Sequence, residues 1–161
     1  MPAHIALLRA VNVGGTGKLP MSELKAMCVK LGFTKVQTYI ASGNVVFESK
    51  LSQAKVKAAM EKALGVSVFV RDAEEMAAIL KANPFPNAAP NRTVVIFLDS
   101  APADAPFTGQ KNEEVRLGKR EIYVHYPDGQ ADTKLKIPAA AVGTGRNFNT
   151  VAALAGMAAK L

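Results

Sequence analysis

The strongest constraint on this 161-residue chain is the order in which its hydrophobic periods change over the first 72 residues. His4–Arg9 is a short apolar strand that runs into the glycine-rich stretch VNVGGTGK. Pro20 suits a first helical turn, and Leu24, Met27, Cys28 and Leu31 recur at i, i+3, i+4 and i+7 before Gly32. Val36–Ile40 and Asn44–Glu48 read as strands joined across Ala41-Ser42-Gly43, a hairpin turn in which Gly43 takes positive φ. Ser52 caps a second helix with Val56, Ala59, Met60, Ala63 and Leu64 on one face, and Gly65 closes it. Val66–Arg71 is the last strand. The order β-α-β-β-α-β is that of a ferredoxin-like, split βαβ arrangement.

The remainder is less regular. Asp72-Ala-Glu-Glu75 is an acidic capping-box variant that opens a helix through Met76, Ile79 and Leu80 and stops at Asn83-Pro84. Thr93–Leu98 is a strand, 99–110 a loop, and Glu114–Leu117 with Glu121–Tyr126 a hairpin around Gly118-Lys119. A short helix follows Asp132-Thr133, and the chain ends in a helix capped by Asn147 with Val151, Leu154, Ala155, Ala158 and Leu161 on its buried face. The expected fold is α+β: a ferredoxin-like first half, residues 1–72, packed on a smaller α+β second half, residues 73–161, with an antiparallel sheet. No internal repeat is visible.

Topology brings polar residues together. Right-handed crossovers make the first two strands parallel with the third antiparallel between them, so the glycine run and the Ser42-Gly43-Asn44 turn share one end of the sheet. Arg9, Asn12, Gly14, Gly15, Lys18, Ser42 and Asn44 are thereby candidates for one polar pocket. The glycine run is not a standard nucleotide loop. A Walker A sequence needs Gly where Asn12 stands and Ser or Thr where Leu19 stands, and Pro20 breaks a GxGxxG pattern. Its N–H groups are still suited to a phosphate or carboxylate.

Charge is uneven. Of the net +7, residues 1–72 carry +6 and residues 73–161 carry +1. A basic segment fits nucleic acid or an acidic ligand, or simply solvated helix faces. An RNA-recognition sheet would stack bases on aromatics of its central strands. Here those strands, HIALLR and NVVFES, hold only Phe47. In Thr144-Gly-Arg-Asn-Phe-Asn-Thr150, Arg146 stands beside the positive end of the last helix, a local conflict that a bound anion or Asp132 would relieve. His4 and His125 lack metal-ligand spacing, Cys28 lies on an apolar helix face, and no catalytic triad or carboxylate pair can be assembled. No metal or cofactor is expected. The lone cysteine, the absence of a signal peptide and apolar runs far below the roughly 20 residues of a membrane helix predict a cytoplasmic protein without membrane contact.

The runs ALLRAVNVGG, TYIASGNVVF, NPF followed by a strand, TKL and TGRNFNTV resemble, in order and over nearly the whole chain, the signature stretches of domain of unknown function 1697, a mostly bacterial family. The family pattern has Gly where Ala10 stands, Trp where Phe148 stands and Ser where Thr133 stands. The resemblance implies a two-part α+β protein with a ferredoxin-like first half and transfers no activity. Its signature runs fall on Arg9, Asn12, Ser42, Gly43, Asn44, Lys134, Arg146, Asn147 and Asn149. The leading expectation is a cleft between the halves that binds a small anionic ligand, with Arg9, Lys134 and Arg146 as charge partners. The alternatives are a non-enzymatic binder of single-stranded nucleic acid through the basic first half, and a protein-interaction module pairing through a sheet edge.

Overall fold

In the computed structural model, which describes residues 2–9, 20–39, 43–102, 106–129 and 133–161, the first strand is β1 (Ala3–Leu8), with side chains buried from His4 onward. The helix α1 (Met21–Lys30) follows, then β2 (Thr34–Tyr39), β3 (Asn44–Glu48), α2 (Gln53–Leu64) and β4 (Val68–Asp72). The strand order β2-β3-β1-β4, antiparallel throughout, is the ferredoxin-like one. On one face Ala6, Leu8, Val45, Phe47, Val68 and Val70 meet Leu24 and Cys28 of α1 and Val56 and Met60 of α2. Phe33 stacks on Phe47 with ring centroids 4.2 Å apart. The residues of opposite parity, Ile5, Leu7, Val46 and Phe69, are no less buried. A strand buried on both faces has no polar side to alternate with, which is why HIALL is one apolar run.

The helix ends follow side-chain chemistry. Ser52 Oγ accepts the Lys55 N–H at 3.3 Å, and Gly65 closes α2 at φ +70°, the left-handed conformation that glycine adopts without a Cβ penalty. The Asp72-Glu75 pair is reciprocal: Asp72 Oδ1 accepts the Glu75 N–H at 2.7 Å, and Glu75 Oε1 accepts the Asp72 N–H at 3.1 Å, opening α3 (Ala73–Lys81).

The second sheet contains β5 (Thr93–Phe97), β6 (Glu114–Leu117), β7 (Glu121–His125) and β8 (Thr144–Asn147), and the last helix is α4 (Phe148–Ala159). Its order, β6-β7-β5-β8, repeats that of the first sheet strand for strand, and every pairing is again antiparallel. The sequence shows no repeat because the crossovers differ. Where the first sheet has α1 and α2, the second has irregular connections that place Phe107, Leu135, Ile137, Ala139 and Ala140 on Val94, Ile96, Ile122, Val124 and Tyr126.

Two expectations change. The short helix expected after Asp132-Thr133 is instead an extended stretch, bridged Lys136 to Thr108, followed by a 3-10 turn at Pro138–Val142. The segment before the last helix is a strand, β8, that pairs Arg146 with Val95. The chain forms two compact units, Met1–Ala78 with Ala153–Leu161, and Ile79–Ala152. The first division falls inside α3.

Candidate functional site

In the first unit the relevant place is the end of the sheet where β1 stops. The Leu8 N–H donates to the Gly43 carbonyl at 2.8 Å, and the Arg9 N–H donates to the Ser67 carbonyl at 3.0 Å. The exit of β1 is therefore flanked by the hairpin before β3 and by the residue before β4. Arg9 is the first exposed residue after five buried ones. Gly43 has φ +87°, as the turn required. Asn44 is fully buried, and its Nδ2 donates to the Tyr39 carbonyl at 3.0 Å, closing the hairpin from within. Asn12, Gly14, Gly15, Lys18 and Ser42 lie outside the described residues.

In the second part, Asn147 and Arg146 make structural contacts of their own. Asn147 Oδ1 accepts the Thr150 N–H at 2.9 Å and so caps α4. Arg146 is 8% exposed; its guanidinium donates to Thr144 Oγ1 at 2.8 Å and to the Gly145 carbonyl at 2.9 Å. Burial lowers its pKa to about 10, which leaves it charged at neutral pH. Lys134 and Asn149 are exposed. Register shows what the sequence did not: Arg146 lies across from Val95, and Val95 from Tyr123, while Thr144, Phe97 and Glu121 form the next row. Glu121, Tyr123, Thr144 and Arg146 thus share one sheet face, all buried. Burial, helped by the Glu121 charge, pushes the Tyr123 phenol up to about 12, and its hydroxyl donates to the Ile79 carbonyl at 3.3 Å. Period-2 alternation in β7 places Glu121 and Tyr123 together, but only a β8 strand adds Arg146.

The junction around Arg146 has a counterpart. Arg71-Asp72 ends β4 as Arg146-Asn147 ends β8, and each pair leads directly into a helix. Arg71 is 1% exposed and its Nη1 donates to the preceding carbonyl, Val70, at 3.0 Å. A buried arginine followed by a capping Asp or Asn is thus a joint used twice. The conflict read at Arg146 is resolved by turning the guanidinium back along its own strand.

Among the described residues no group of three His, Cys, Asp or Glu is placed to hold a metal ion, and no helix is long and apolar enough to cross a membrane. His4 is buried against Phe47, with ring centroids 5.7 Å apart and Nε2 3.4 Å from the Ser49 carbonyl. Burial pushes the Cys28 thiol up to about 12, an unreactive state.

Comparison with known proteins agrees with this architecture. The conserved bacterial protein SP0830 from Streptococcus pneumoniae has a similar structure, with a TM-score of 0.80 and 25% sequence identity over 98% of each chain. No curated protein matches the sequence. The model of a protein family of unknown function, DUF1697, matches residues 1–123, and the chain belongs to that family.

Proposed function

We propose that the protein binds a small anionic ligand at the end of the first sheet, with Arg9 as its principal charge partner. The observation that carries this reading is the contrast at Arg9: an exposed arginine directly follows five buried strand residues and stands two positions before the glycine-rich stretch that begins at Val11. An arginine there offers a planar fork to a phosphate or carboxylate. The backbone N–H groups of the Gly14-Gly15 stretch, with Lys18, Asn12 and Ser42, complete the donor set in this proposal. Gly43 and Asn44 fix the neighbouring turn. The proposal is for binding, since none of the donors named is itself a general base. The buried, free Cys28 suits a reducing cytoplasm as the working compartment.

Isothermal titration with inorganic phosphate, sugar phosphates, mononucleotides and dicarboxylates tests the reading. The expected result is saturable binding of at least one of these that weakens by about 10- to 100-fold in Arg9→Ala, the value of one or two charge-assisted hydrogen bonds. Binding unchanged in that variant, or no binding across the panel, overturns it.

A further inference from the structure

The outer surface of α1 and α2 is basic in a way that neither the core nor the Arg9 site requires. Both helices pack on the same face of the first sheet through Leu24, Cys28, Val56 and Met60. Away from that packing they expose Lys30 on α1 and Lys55 and Lys62 on α2, with the exposed Lys25 on the flank of α1. Glu23 is the one exposed acid on these helices. The other acid, Glu61, is taken up by Lys57 at 2.9 Å and by the Val68 N–H at 3.0 Å. Between the exposed lysines stand Ala26, Ala54, Ala58 and Ala63, side chains too short to hold a partner away. Lys55 and Lys62 are two turns apart on one side of α2, about 10 Å along its axis.

We infer that this face docks the phosphate backbone of a nucleic-acid duplex. Its positive charge matches a polyphosphate. Bases have little to stack on: the first unit's Phe33, Phe47 and Phe69 are all buried and Tyr39 on the edge strand is half-buried, so the surface does not favour single-strand stacking or sheet-borne RNA recognition. An anionic membrane would call for bulky apolar anchors beside the lysines. The exposed apolar residues on these helices are alanines and Val29. A duplex needs only evenly placed cations on a low surface, and binding of this kind is independent of sequence.

The experiment is fluorescence anisotropy of a labelled 20-base-pair DNA duplex, titrated with the full chain over a salt series. Four phosphate contacts give a log–log slope near −3.6, or about a 150-fold loss of affinity from 50 to 200 mM salt. The variant Lys25→Ala/Lys30→Ala/Lys55→Ala/Lys62→Ala should fold, since alanine is the best helix former, and should lose at least 10-fold in affinity with a slope near zero. A control of equal charge, Lys81→Ala/Lys111→Ala/Lys119→Ala/Lys136→Ala, changes exposed lysines elsewhere and should keep most of the affinity. Equal losses in the two variants would reduce the effect to net charge and overturn the proposal, as would a salt-independent affinity. Binding to vesicles of anionic phospholipid that exceeds binding to the duplex would also overturn it, in favour of a membrane surface. The outcome is independent of Arg9, which lies outside the substituted set.

Discussion

The two sheets carry the same strand order on different coverings. In the first unit α1 and α2 close one face of the sheet; in the second, a loop, an extended stretch and a 3-10 turn perform that task with Phe107, Leu135 and Ile137. Helices satisfy their own backbone groups, so the first covering is held by side-chain packing and caps. Irregular segments must find backbone partners elsewhere. The second covering does so through the Thr108–Lys136 bridge, whose two N–H···O bonds measure 2.9 and 2.8 Å, and through Glu113, which accepts the Lys111 N–H at 2.7 Å and the Thr133 hydroxyl. One architecture is therefore specified by periodicity in the first half and by individual clamps in the second.

That contrast predicts unequal responses to the same substitution. Gly65 and Gly109 have nearly equal backbone angles, φ +70° and +76°. A Cβ on Gly65 meets open space, whereas one on Gly109 would lie 1.9 Å from the Lys134 carbonyl oxygen. Gly109→Ala should cost about 2–4 kcal/mol, combining left-handed strain with displacement of backbone, and Gly65→Ala about 1 kcal/mol. Chemical denaturation of both variants measures the difference. Equal losses would mean that the clamp at Gly109 yields freely and that the two coverings are held alike.

A smaller effect separates the two strand-to-helix joints. Asp72→Ala removes half of a reciprocal capping box, and Asn147→Ala a single cap bond; each should cost about 0.5–2 kcal/mol, with Asp72 the larger. Urea midpoints of the two variants give the comparison, and a greater loss at Asn147 would reverse the ranking.

The smallest prediction concerns acid. The Thr133 hydroxyl, then the Lys111 N–H, hold the Glu113 carboxyl below its ordinary 4.5. A folded pKa below the unfolded one gives stability that is complete above pH 4.5 and lost as pH falls below it through the folded value. The pH profile of stability should therefore be shallower on its acid side in Glu113→Gln. A superimposable profile would show that the clamp does not depend on the carboxylate.

Much of the first unit was legible because its signals are local and repeated: Ser52 and Gly65 bracket α2, Asp72 and Glu75 open α3, and Gly43 turns the hairpin. β8 was not legible, because its inward residues are Thr144 and Arg146 rather than apolar ones, so burial alternates while hydropathy does not. The Arg146 guanidinium turns back to Thr144 and Gly145 because this segment is a strand, and its pairing partner, Val95, is 51 positions away, where no local pattern reports it. The Arg9 end was legible only through topology: the neighbouring carbonyls, Gly43 and Ser67, belong to different strand entries.

We propose that the two arginines of the signature runs have separate roles, Arg9 in binding and Arg146 in holding β8. Thermal unfolding of wild type, Arg9→Ala and Arg146→Ala, each with and without a saturating phosphate-bearing ligand from the titration panel, tests it most directly. Arg9→Ala should unfold like wild type without ligand and gain much less from it, whereas Arg146→Ala should unfold several degrees lower and keep the ligand-induced rise. The reverse pattern, with Arg146→Ala stable but unresponsive and Arg9→Ala destabilised but responsive, would contradict it.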